Sequence, residues 1–215
     1  MKNKRSRWGT AALTAAIALL LCACGAAGNT PSPERTTTED SDNSFGARWS
    51  FTLDEFSEAA AEELENADVR LSDDKWETIN AGLIDDNGVT YSSFCRHAEQ
   101  ITFIAAVEDD SNKVMNIGCG CETELLEDEA FRSKLIDVAA ITALNAGGYA
   151  GETKAYFISA FTTLLDSDDD TLYHGDQLFI KSVDNKTTVL MTAPCSGKVR
   201  EKNHYKTVEE EQGSR

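Results

Sequence analysis

Residues 101–107, Ile-Thr-Phe-Ile-Ala-Ala-Val, are apolar at six of seven positions. A run this short, and this poor in polar residues, reads as a strand that is covered on both faces or lies centrally in a sheet. Its flanks supply the neighbours. Upstream, Trp76–Ile84 and Val89–Arg96 are separated by Asp86-Asn87-Gly88, a hairpin signal because Asn-Gly tolerates positive φ. Downstream, Glu108–Lys113 turns the chain into Val114–Cys121, which places Met115, Ile117, Cys119 and Cys121 on one face. The four segments predict an antiparallel meander.

Helical signals stand on either side of it. Thr52 with Glu55 forms a capping box inside a Phe51/Phe56 staple, and Leu53, Phe56, Ala60 and Leu64 follow at helical spacing, so a helix is predicted to near Asn66. Two more are predicted after the meander. One carries Phe131, Leu135, Val138 and Ala139 and stops at Gly147-Gly148, where positive φ is expected; the other spans about Glu152 to Leu165. A last hairpin, Gln177–Val183 and Thr187–Ala193, turns through Asp184-Asn185-Lys186. Strand and helix do not alternate, so the expected class is α+β: an antiparallel sheet of about six strands with helices mainly on one face.

The N-terminus carries a different kind of signal. Lys2, Lys4, Arg5 and Arg7 precede the apolar run Ala11–Leu21, which is too short to cross a bilayer core, and small residues follow. Its end, Leu21-Cys22-Ala23-Cys24, resembles the lipobox of bacterial lipoproteins, with an aliphatic residue three before the cysteine and a small one directly before it. The resemblance implies cleavage before Cys24, a thioether to diacylglycerol there, and a membrane-anchored protein facing outside the cytoplasm. Two or three acyl chains hold durably where one does not.

Residues 25–47 are small, polar and proline-containing, and are expected to be a flexible tether. The expected organisation is therefore signal peptide 1–23, lipidated Cys24 and tether to 47, a single domain at 48–198, and a charged tail at 199–215, frayed or partly helical. Loss of the four basic N-terminal residues leaves a formal charge of −21 where the whole chain has −17. Such a surface repels phosphate backbones, so nucleic-acid binding is disfavoured.

Candidate chemistry is sparse. Cys95, Cys119, Cys121 and Cys195 are an even set in an exported context and are expected to be disulfide staples. Cys119 and Cys121 share a strand face with Cα atoms near 7 Å apart, so each is expected to pair elsewhere. Four free buried thiols are the alternative to staples; a zinc site is less favoured because C-x-C is short for a knuckle, and a redox pair because Glu122, Glu124 and Glu127 would raise the thiol pKa. Asp166, Asp168 and Asp170 begin like a calcium loop, but Thr171 and Gln177 stand where glycine and a bidentate acid are needed. Ser72 and Lys75 have S-x-x-K spacing without the companion motifs. Cys95 and His97 are the one close Cys/His pair; His174 and His204 are isolated. No catalytic residue and no cofactor is assigned. The functional expectation is a non-catalytic envelope module that binds a protein, peptide or small ligand, with a cysteine-based enzyme and a calcium-binding module as alternatives.

Overall fold

The computed structural model describes residues 38–72, 75–147 and 153–214. The expectation at Cys24 lies outside them, as do Asp73 and Asp74. The fold is α+β, and the seven-stranded antiparallel sheet at its centre is built around the meander.

That meander is β3 (Glu77–Ile84), β4 (Thr90–Ala98), β5 (Ile101–Glu108) and β6 (Lys113–Glu122), with β1 (Thr38–Asp40) and β2 (Ala47–Trp49) forming a small hairpin ahead of it. β7 (Thr171–His174), β8 (Gln177–Val183) and β9 (Thr187–Pro194) complete the sheet in the order β3-β4-β5-β6-β9-β8-β7. β5 is internal, as its apolar run requires: Ile101, Phe103, Ala105, Ala106 and Val107 are all buried. The sheet has seven strands rather than about six because Thr171–His174 adds to β8, with Tyr173 opposite Leu178 and Leu172 opposite Phe179. Four residues beside an Asp-rich turn are too few to show an alternation.

Three helices cover one face, while Val199, in a later helix, packs with Tyr173, Leu178 and Cys195 on the other. α1 (Leu53–Asn66) opens with the predicted capping box: Glu55 N–H donates to Thr52 Oγ1 at 3.4 Å and Thr52 N–H to the Glu55 carboxylate at 2.8 Å. Phe51 and Phe56 lie 6.1 Å apart between ring centroids, closing the staple. α2 (Glu129–Gly147) is largely apolar from Leu135 on because that part is buried on several sides, by β6, β9, α1 and α3 (Lys154–Asp166). From α3, Phe157 and Phe161 meet Phe179 of β8 edge-on, at 6.1 and 5.3 Å.

Two glycine expectations change. The β3–β4 turn is wider than a two-residue hairpin. Asp85 N–H bonds the Val89 carbonyl, the Asp85 side chain accepts from Asn87 and Val89 N–H, and only Gly88 takes positive φ (89°). Gly148 lies outside the described residues, and Gly147 is not a left-handed cap but a point of close approach. A Cβ there would lie 2.0 Å from Gln177 Nε2 and 2.2 Å from Trp49 Cη2, both in the core.

Two boundaries change as well. Residues 38–47 are structured rather than tether: β1 and β2 pair from Thr38 opposite Trp49 to Asp40 opposite Ala47, and Asn43 is buried. Composition misleads here because the partners that order this strap lie far along the chain. The tail forms α4 (Gly197–Asn203) and α5 (Val208–Gly213), the second with its own capping box from Thr207 and Glu210 and with Val208 buried.

Candidate functional site

The most developed polar cluster is at the end of β5. Glu108, 3% exposed, accepts hydrogen bonds from Ser41 Oγ, Asn43 Nδ2 (2.9 Å), Arg48 and Ser111 Oγ (3.1 Å). Three of these donors come from the strap, so one carboxylate at the end of a central strand ties residues 41–48 to the sheet. Arg48 also bonds Glu39 at 3.1 Å, and the strap reaches the β3–β4 turn where Ser44 N–H donates to Asp85 at 2.7 Å and Asn87 Nδ2 to the Asn43 carbonyl at 3.0 Å. Burial alone would raise the Glu108 carboxyl. The bonds from Ser41, Arg48, Asn43 and Ser111 outweigh it and hold the group below the usual carboxylate range.

A shallow, open pocket of about 320 Å³ lies beside this cluster, lined in part by Asp40, Asp42, Arg48, Thr90 and Asp110. Its chemistry is limited. Glu108 is ionised with four donors on it, and the Ser41 hydroxyl spends its proton on Glu108, so neither is poised as a general base or a nucleophile. The arrangement fixes a strap. A second shallow pocket of about 580 Å³, between α4 and α5, is lined by Arg200, Glu201, His204, Tyr205, Lys206 and Glu210. Lys206 is held there by Asp169 at 2.7 Å and Glu211 at 2.8 Å, and Arg200 stacks 4.4 Å over the Tyr173 ring.

The four cysteines expected as staples are free thiols, and the sheet register separates them. Cys95 stands opposite Ile104 while Cys119 stands opposite Phe103, so the two project from opposite faces. Cys121 shares the face of Cys119. Cys195 belongs to a separate small cluster with Tyr173 and Leu178, beside Phe45 and Val199. The pairing of Cys95 and Cys195 with the two thiols of β6 is therefore not formed, and a Cys95–Cys119 bond would have to cross the sheet. Burial raises all four thiols, Cys195 to about 11. Neither a redox pair nor a thiolate cage draws support from that environment. Alkylation of the unfolded, unreduced chain followed by peptide mapping is expected to label Cys95, Cys119, Cys121 and Cys195 alike; protection of any two would restore a staple.

The remaining sequence candidates are dispersed. Asp166 bonds Arg132 at 2.5 Å and Asp169 bonds Lys206, while Lys181 Nζ donates to the Ser167 carbonyl at 2.6 Å, so the acidic turn is threaded with cations. Among the described residues, no three His, Cys, Asp or Glu side chains are grouped to hold a metal ion. Ser72 and Lys75 lie outside any helix, without the one-turn spacing that S-x-x-K needs. His97 shares a face with Cys95, but its Nδ1 lies 3.1 Å from Thr102 Oγ1. His174 pairs with Glu209 at 2.9 Å and packs on Tyr156, ring centroids 4.4 Å apart, and His204 is the left-handed cap of α4.

Glu108 is the residue that sequence reasoning missed, having placed it at the start of a turn. An acid closing an apolar strand is a weak signal, and its donors Ser41, Asn43 and Arg48 lie 60 to 67 positions away. No protein-family model, curated protein or solved structure matches the chain.

Proposed function

We propose that this chain is a lipid-anchored protein of a bacterial envelope, displaying its α+β domain outside the cytoplasm as a non-catalytic binding or interaction module for a protein, peptide or small ligand. The observation that carries the reading is Leu21-Cys22-Ala23-Cys24 at the end of a basic and then apolar N-terminus. Each buried methylene of an acyl chain contributes about 0.8 kcal/mol, so a diacylglyceryl group on Cys24 would hold the domain to a membrane with no spanning helix.

The non-catalytic half of the reading rests on how the polar side chains are used. Glu108, Arg48, Asp166, Lys206 and His174 each serve a bond between elements of the fold, and three of the four thiols are buried and Cys95 half-buried, with burial raising all four. The test is Cys24→Ala in a bacterial host fed a labelled fatty acid. The wild-type chain is expected to take up label and to stay with membranes through a high-salt wash, and the variant to lose the label and leave the membrane fraction. An unlabelled wild-type chain, or a variant that stays, would overturn the anchor.

A further inference from the structure

The two edges of the sheet are treated differently. At β7 the tail covers the edge: Tyr173 N–H donates to the Lys206 carbonyl at 2.8 Å, and α5 packs against β7 and α3. At the other end, among the described residues, β3 is bonded to β4 alone, and seven of its eight residues are exposed. An edge strand is ordinarily guarded by lysine, proline, charge, a covering segment or bulges. β3 has no lysine or proline and carries one charge, Glu77, in a chain of net charge −17. It also holds Ile79 (50% exposed) and Ile84 (69%), two of the three large apolar side chains left exposed among the described residues.

We propose that β3 is a pairing edge for a second copy of this chain, docked antiparallel about a two-fold axis between Asn80 and Ala81. That axis is the midpoint of Glu77–Ile84, so it gives full overlap of the two strands. In this register Glu77 faces Ile84, Thr78 faces Leu83 and Ile79 faces Gly82 of the other copy. Just beyond the strand ends, the exposed Lys75 faces the exposed Asp86 of the other copy, and the symmetry forms this pair twice. No like charges are opposed along the overlap. Opposite charges and apolar pairs across strands are what stabilise a ladder.

The bulges limit the contact rather than prevent it. Ile79 is the extra residue between Thr78 and Asn80, and Ala81 and Gly82 (φ 66°) share one place opposite β4, so the ladder is confined to two arms, residues 77–78 of one copy against 83–84 of the other, with Ile79 at the bulge beside them. Four such residues a side make a short ladder, and the association is expected to be reversible and concentration-dependent.

The test is sedimentation equilibrium of the full chain in a neutral detergent over a range of protein concentrations. Wild type is expected to show a monomer–dimer equilibrium. Ile79→Lys with Ile84→Lys, at exposed positions, should leave the melting curve unchanged and abolish the dimer. Lys75→Glu, which sets two acids against each other at both ends, should raise the dissociation constant about tenfold. Adding Asp86→Lys to Lys75→Glu reverses both pairs and should restore the wild-type constant. A monomer at every concentration, a dimer indifferent to these changes, or no rescue by the reversed pair would overturn the proposal. None of these readouts depends on acylation of Cys24.

Discussion

Replacing Glu108 with Ala is expected to lower the stability of the domain by about 2–4 kcal/mol, read as a fall in urea midpoint at unchanged slope. Removing one member of a buried pair costs more than the pair is worth, because the other is left without its partner. Here the side chains left behind are Arg48, one quarter exposed and still bonded to Glu39, together with Ser41, Asn43 and Ser111. Arg48's residual contact with water and with Glu39 keeps the expected loss below the full cost of a buried orphan charge. A loss under 1 kcal/mol would show that the strap is held by its backbone pairing instead.

The same residue sets a pH dependence whose sign is fixed. The Glu108 carboxyl is held below the usual carboxylate range in the folded protein, so the unfolded chain binds its proton first as pH falls. Its contribution is therefore complete above the unfolded value of about 4.3 and is lost progressively as pH falls below that toward the folded value. The difference between wild type and Glu108→Ala should be constant from pH 6 to 8 and narrow in acid. A difference that widens in acid would mean that Glu108 is protonated in the folded protein.

Gly118→Ala is expected to cost about 3 kcal/mol or more, at the upper end of overpacking effects. A Cβ at Gly118 would lie 2.1 Å from the Leu190 carbonyl oxygen and 2.6 Å from Met191 Cα, so the obstacle is backbone and cannot rotate aside. The contact is on the β6–β9 pair, which joins the meander to the final three strands. A shift there disturbs both halves of the sheet. Gly197→Ala is the control, since a Cβ at Gly197 meets nothing within 4 Å. Equal midpoints for the two variants would sink the argument.

What could be read in advance follows the range of the interaction. The meander, α1 and the final hairpin came from periodicities and turn residues within 10 to 20 positions, and the structure places each within a few residues of expectation. β7 failed that reading because four residues carry too little pattern. The strap failed because its order depends on Glu108, and nothing in residues 25–47 distinguishes Asn43, which is buried, from the polar residues around it. The cysteines failed for a reason of parity. A staple needs two thiols on one side of a sheet, and whether Cys95 and Cys119 share a side depends on a strand register that spacing alone does not give.

The Glu108 cluster also decides how a pull on the N-terminal end of the chain would be borne. Tension entering at Thr38 meets the β1–β2 hairpin and then the side chains of Ser41, Asn43 and Arg48, which deliver it to the end of β5. β5 is bonded along its length to β4 on one side and β6 on the other, so the load is shared by two ladders instead of peeling one edge strand from the sheet. The strap works as a strain relief, as at the base of a cable, and its mechanical weak point is the cluster of side chains around one carboxylate.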